Sequence, residues 1–157
     1  MIKTLIAFGS KTGTTKKCAQ LLQVKLGFGD LLDLSKPVPN ISGYGLVVIG
    51  GSIRMGKLNK DTDKFVKKNL ELLKKKRTAF FICCGLENQS KKMLANVYPR
   101  ELMDHAVAAR SFGGELPEKS FFARMISKSS PEHELPHIDE TAIDGFAKNI
   151  IRKLENV

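Results

Sequence analysis

The chain opens with an apolar run from Lys3 to Gly9, centred on Leu5-Ile6-Ala7-Phe8, and passes at once into Ser10-Lys11-Thr12-Gly13-Thr14-Thr15. An amphipathic helix follows from Thr14 to about Lys25, carrying Cys18, Leu21, Leu22 and Leu26 at helical spacing. A strand that runs straight into a hydroxyl-rich turn and then a helix builds an anion site. Backbone N–H groups of the turn point inward, and the helix N-terminus adds its positive end. The turn holds one glycine, so it is neither the P-loop nor the G-x-G-x-x-G fingerprint. Hydroxyls take the place that glycines and a lysine have there. An ordinary polar turn capping the first helix would use similar residues.

The rest of the chain repeats the strand–helix rhythm. Gly27 and Gly29 end the first helix, and Asp30 to Leu34 reads as a short strand. Two prolines make Lys36 to Asn40 a loop. Leu46-Val47-Val48-Ile49-Gly50 is a continuous apolar run, as in a parallel strand covered on both faces. Asp61 to Leu73 is predicted helical, Thr78 to Cys84 a second buried strand, and Ser90 to Tyr98 a helix stopped near Pro99. Ala106 to Phe112 reads as the last strand, with His105 at its start, and a helix from about Glu140 carries Ile143, Phe146, Ala147, Ile150, Ile151 and Leu154. The expected architecture is α/β, a doubly wound five-stranded parallel sheet with helices on both faces, formed by residues 1–157 as one domain. Glu118 to Lys128 breaks the rhythm as a short amphipathic helix, with Phe121, Phe122, Met125 and Ile126 on one face and Lys119, Arg124 and Lys128 beside it. Packing on its own domain and contact with a membrane surface both suit that pattern.

Composition narrows the function classes. No apolar run reaches the length of a membrane span, and the first one is too short for a signal peptide, which makes the cytoplasm the default location. Cys18, Cys83 and Cys84 read as reduced, buried thiols, with Cys83 and Cys84 on opposite faces of a strand, and no metal site is expected. The 26 Lys and Arg against 16 Asp and Glu give a net charge of +10, which suits an anionic partner. Pairs and triplets such as Lys74-Lys75-Lys76 also fit solvated helix faces, and no aromatic interleaving suggests nucleic acid. His105, His133 and His137 read as surface or capping residues.

Ligands in such sheets bind beyond the carboxyl ends of the strands. The loops expected there are the hydroxyl turn, Gly51 to Lys57, Gly85 to Gln89, and Gly113 to Pro117. One phosphate site and two glycine-flanked loops suit a planar mononucleotide. Here the chain resembles a known family. Ser10-Lys11-Thr12-Gly13-Thr14-Thr15 after an N-terminal strand is similar to the S/T-x-T-G-x-T phosphate loop of the flavodoxins. Gly50 to Gly56, with Ser-Ile-Arg inside it, and Phe112 to Leu116 followed by Phe121 to Ile126 resemble the flavodoxin-like, menaquinone-dependent protoporphyrinogen oxidases. Met55 stands where that family has an aromatic residue, and a long aromatic and basic insertion is absent.

The resemblance implies FMN as cofactor. Ser10, Thr12, Thr14 and Thr15, with the amides of Lys11 and Gly13, would bind the phosphate. Ser52, Ile53, Arg54, Met55 and Gly56 would flank the isoalloxazine on one side, and Cys84, Gly85, Leu86 and Glu87 on the other. Arg54 would sit near the ring; a salt bridge to a neighbouring carboxylate is its other reading. The function implied is an FMN-binding redox protein, an electron carrier or a small oxidoreductase. The alternatives are a protoporphyrinogen IX oxidase using a quinone acceptor, and a flavin-binding module without turnover. Partners would be a redox protein or a small anionic substrate, with quinone or membrane-surface contact open.

Overall fold

The computed structural model describes residues 2–85, 87–114 and 137–156, with the Glu87 side chain outside that description. The expectations for Leu86, for Glu115 to Pro117, for 118–128 and for His133 lie outside the described residues. The strands are β1 (Thr4–Gly9), β2 (Asp30–Asp33), β3 (Leu46–Arg54), β4 (Lys57–Leu58), β5 (Arg77–Cys83) and β6 (Ala108–Ser111). The helices are α1 (Thr14–Leu26), α2 (Lys60–Lys68), α3 (Leu70–Lys74), α4 (Glu87–Val97), α5 (Arg100–Met103) and α6 (Glu140–Glu155). Five strands lie parallel in the order β2-β1-β3-β5-β6, and β4 pairs antiparallel with β3. This is the doubly wound flavodoxin-like order, and its switch point falls between β1 and β3. Because the five strands are parallel, their carboxyl ends share one edge of the sheet.

The period-two alternation of the strands splits the core into two layers. Ile6, Phe8, Val48, Phe81 and Cys83 face α1 and α6, where Leu22, Ile143, Phe146 and Ile150 are buried. Leu5, Ala7, Val47, Ile49, Phe80 and Ile82 face the other way, onto Phe65, Val66, Leu73, Tyr98 and Leu102. Phe81 stacks on Phe112 with centroids 4.7 Å apart, and Phe146 meets Phe112 edge-on at 5.1 Å. Gly50 makes this packing possible: a Cβ there would collide with the Phe81 ring. Tyr98 is buried and its hydroxyl donates to Phe81 O at 2.7 Å, and burial pushes its pKa well up.

Several boundaries differ from the sequence expectation, each for a local reason. The third strand continues four residues past Gly50, because Gly51 and Ser52 still pair with Ile82 and Cys83 of β5. Met55 and Gly56, both at positive φ (52° and 75°), then reverse the chain, and Ile53 and Arg54 pair with Leu58 and Lys57. The segment expected as a loop is therefore a hairpin. The helix expected over Asp61 to Leu73 breaks at Asn69, whose side-chain amide donates to Phe65 O and whose φ of −107° leaves the helical range. Past Pro99 a further short helix, α5, forms with the proline as its cap. His105 lies in the turn before β6 and does not begin it, since the regular strand starts at Ala108.

Candidate functional site

The site grows from the end of β1. Ser10 Oγ accepts a hydrogen bond from Gly13 N at 2.9 Å, which curls the turn, and Gly13 takes a left-handed φ of 94° that a side chain would strain. Thr14 and Thr15 then enter α1 buried, while Lys11 and Thr12 stay exposed. The first amides of any helix lack intrahelical partners. In α2 the Asn59 side chain accepts from Asp61 N and Thr62 N, and in α6 Asp139 accepts from Ala142 N. Both helices also carry an acidic residue in the first turn. In α1 no side chain caps the N-terminus and the first turn holds no acid. Among the described residues nothing compensates its positive end. Beneath it, Thr15 Oγ1 is buried beside the Cys83 thiol, a weak partner, with no nitrogen or oxygen bonded to it among the described residues. An orphaned buried hydroxyl costs about 1–3 kcal/mol unless something fills its bonding capacity. A tetrahedral oxyanion in the turn fits both needs, so the residues present suit an FMN phosphate.

The other expected residues surround this cradle. Asn59 N donates to Ser52 O at 2.9 Å, and Thr62 Oγ1 donates to Gly50 O at 3.1 Å. These bonds lash the start of α2 to the end of β3. Glycine at 9 and 51 leaves the room, since a Cβ on Gly51 would lie 2.8 Å from Thr62 Oγ1. Asn59 and Thr62 thus hold the switch point open in a fixed shape. The sequence reading missed them; Asn59 before a charged amphipathic stretch was the available signal. Ser52 and Ile53 are half-buried, with Ile53 packed on the α2–α5 layer, whereas Arg54, Met55 and Gly56 project at the hairpin tip. Arg54 makes no ion pair to a described residue; the ion pairs between described residues are Lys25–Asp144, Lys67–Asp63, Lys74–Glu71, Lys74–Glu101 and Lys148–Asp144.

On the opposite flank, Cys84 N donates to Gly113 O at 2.9 Å, and a Cβ on Gly114 would sit 3.1 Å from Gly85 N. The loops after β5 and β6 are therefore stitched together. Glu87, expected in the loop, is instead the first residue of α4. The three cysteines are buried and none is in a disulfide. Cys83 and Cys84 do face opposite layers, and Cys83 Sγ lies 3.4 Å from Cys18 Sγ under the hydroxyl turn. That contact and burial push the Cys83 thiol well above its usual pKa, so it is held protonated and unreactive. Among the described residues no cluster of His, Cys, Asp and Glu could hold a metal ion. No helix among them is long and apolar enough to cross a membrane.

Comparison with known proteins agrees with this geometry. Solved structures that share the fold include oxidised Flavodoxin 2 from Bacillus cereus, 18% identical over 96% of this chain and 99% of that one, with a TM-score of 0.64. Fusobacterium nucleatum flavodoxin bound to flavin mononucleotide is 10% identical over 98% of this chain and 99% of that one, with a TM-score of 0.58. Rubredoxin oxygen:oxidoreductase from Desulfovibrio gigas matches 98% of this chain over 36% of its own length, at 17% identity and a TM-score of 0.62. No curated protein sequence matches at a significant level. The family model for the flavodoxin domain matches residues 5–129, and the chain belongs to that family.

Proposed function

We propose that the chain binds FMN at the carboxyl edge of its sheet and works as a redox protein. The observation that carries this reading is the α1 N-terminus, uncapped among the described residues, above the poorly partnered Thr15 hydroxyl. The hydroxyls of Ser10, Thr12, Thr14 and Thr15 and the amides of Lys11 and Gly13 would hold the phosphate. Ser52 to Gly56 would flank the ring on one side, and Cys84, Gly85, Leu86 and Glu87 on the other. Bound FMN supplies one- and two-electron transfer, and the protein orients and tunes it. Arg54 is exposed at the hairpin tip and pairs with no described carboxylate, which leaves its charge available to a neighbouring ring. The FMN-bound Fusobacterium nucleatum flavodoxin of the same fold supports the choice of cofactor. The test is the absorption spectrum of the purified protein after incubation with flavins, with the cofactor identified after heat release. FMN is expected; FAD, or no retained flavin, contradicts the reading.

The net charge of +10 favours a second, finer reading. Protoporphyrinogen IX carries carboxylates that suit a basic rim, and the Ser52-Ile53-Arg54 segment resembles the loop of the oxidases that act on it. Oxidation would be followed as porphyrin fluorescence with a quinone acceptor. No acceleration over the spontaneous reaction rules this reading out and leaves the electron-transfer reading standing.

A further inference from the structure

The charges of this protein are unevenly satisfied. The ion pairs lie along helix flanks or toward the amino edge of the sheet, where Lys74 bridges Glu71 and Glu101. At the carboxyl edge the cations stand apart. Lys11 follows β1, Arg54 and Lys57 face each other across the β3–β4 hairpin, Lys60 opens α2, and Lys91 and Lys92 lie in the first half of α4. All are exposed, and none takes part in an ion pair to a described residue; the exposed acids Asp61 and Glu140 share this edge and leave its described charge basic. Their elements adjoin: Asn59, just before Lys60, abuts Gly9, and a Cβ on Gly56 would sit 3.8 Å from Met93 Cε of α4. Amid these cations stands Met55, 99% exposed and fixed at φ 52°. A pliable apolar residue ringed by unpaired charge has the make-up of a docking surface.

We infer that the Met55 hairpin and its ring of cations dock an acidic redox protein, which exchanges electrons with the flavin beneath. Lysines spread singly over helix faces serve solubility; cations left unpaired around the rim of one site steer a partner of opposite charge and set its association rate. Nucleic acid is the weaker choice, because among the described residues no aromatic side chain at this rim offers a stacking platform for a base. The redox nature of the partner rests on the proposed FMN function; the docking itself does not.

Binding to a strongly acidic [2Fe–2S] ferredoxin is measured by calorimetry at about 20 mM and about 200 mM salt, with and without FMN loaded. Binding should weaken by about tenfold or more at the higher salt, and again by that factor in Lys57→Glu/Lys60→Glu/Lys91→Glu. The variant Lys68→Glu/Lys75→Glu/Lys153→Glu changes net charge equally at the far edge and should bind as the parent does. FMN content of both variants should be unchanged. Equal loss in the two variants, or no ferredoxin binding at low salt, overturns the inference. So does tighter binding to duplex DNA or phosphatidylglycerol vesicles through the same lysines. Ferredoxin binding by a chain that fails to take FMN would overturn the flavin reading and leave the docking surface standing.

Discussion

A single hydroxyl shows how the site is built. Thr15 sits at zero exposure beneath the turn, yet among the described residues its oxygen has only the weak Cys83 thiol beside it. Folded proteins rarely leave such a group unsatisfied, and the exceptions mark ligand or catalytic sites. Around it, Ser10 shapes the turn and Gly13 supplies the left-handed residue that brings α1 to bear. Hydrogen bonds to a charged phosphate contribute about 1.5–3 kcal/mol each. Thr12→Ala/Thr14→Ala should therefore weaken FMN binding about tenfold or more, read by fluorescence titration; parental affinity would remove both residues from the phosphate site. Arg54 gives a different readout. A cation beside a ring that gains negative charge on reduction raises its potential, so Arg54→Ala should lower the midpoint potential in a redox titration. An unchanged potential would place the side chain away from the ring.

At the scale of elements, the packing of β3 on β5 turns on Gly50. The Phe81 ring occupies the space its side chain would fill. Overpacking of this kind costs about 1–3 kcal/mol, so Gly50→Ala should lower the urea midpoint clearly, and an unshifted midpoint would mean the ring has somewhere else to go. Much of this level was readable in the sequence. The apolar runs at Leu5 to Phe8, Leu46 to Ile49 and Ala79 to Ile82 are long and uniform, and burial on both faces leaves such runs few alternatives. The turn after β1 was readable as a turn, since Ser10 and Gly13 are residue types that curl a chain between strand and helix, while its ligand was not. What was not readable were endings fixed by tertiary partners. β3 runs on to Arg54 because β5 is still beside it, and the Met55-Gly56 turn carries a methionine where positive φ favours glycine or asparagine. The helix break at Asn69 comes from one side-chain hydrogen bond, which periodicity does not see. Asn59 and Thr62 escaped notice because their role appears only when α2 meets the ends of β1 and β3.

For the molecule as a whole, one contact ties its first helix to its last. Asp144 of α6 bonds Lys148 at 2.9 Å and lies 3.9 Å from Lys25 of α1. The Lys148 hydrogen bond is the main cause that lowers the Asp144 pKa, with the charges of Lys148 and Lys25 adding to it. A carboxyl depressed in the folded state adds stability that is complete above its unfolded pKa and is lost as pH falls through the folded value. Asp144→Asn should therefore lose a little stability above about pH 4, and its difference from the parent should shrink to nothing as pH falls further. The group is exposed and the effect is small; an identical profile would mean the pair is fully screened.

The central claim is that this sheet edge recognises a terminal phosphate and, through it, FMN. The most direct measurement compares FMN with riboflavin, which has the same ring and lacks the phosphate, by fluorescence titration of the apoprotein. The cradle around Thr15 predicts that FMN binds about tenfold or more tighter than riboflavin, with inorganic phosphate competing for the difference. Equal affinity for the two flavins would contradict it.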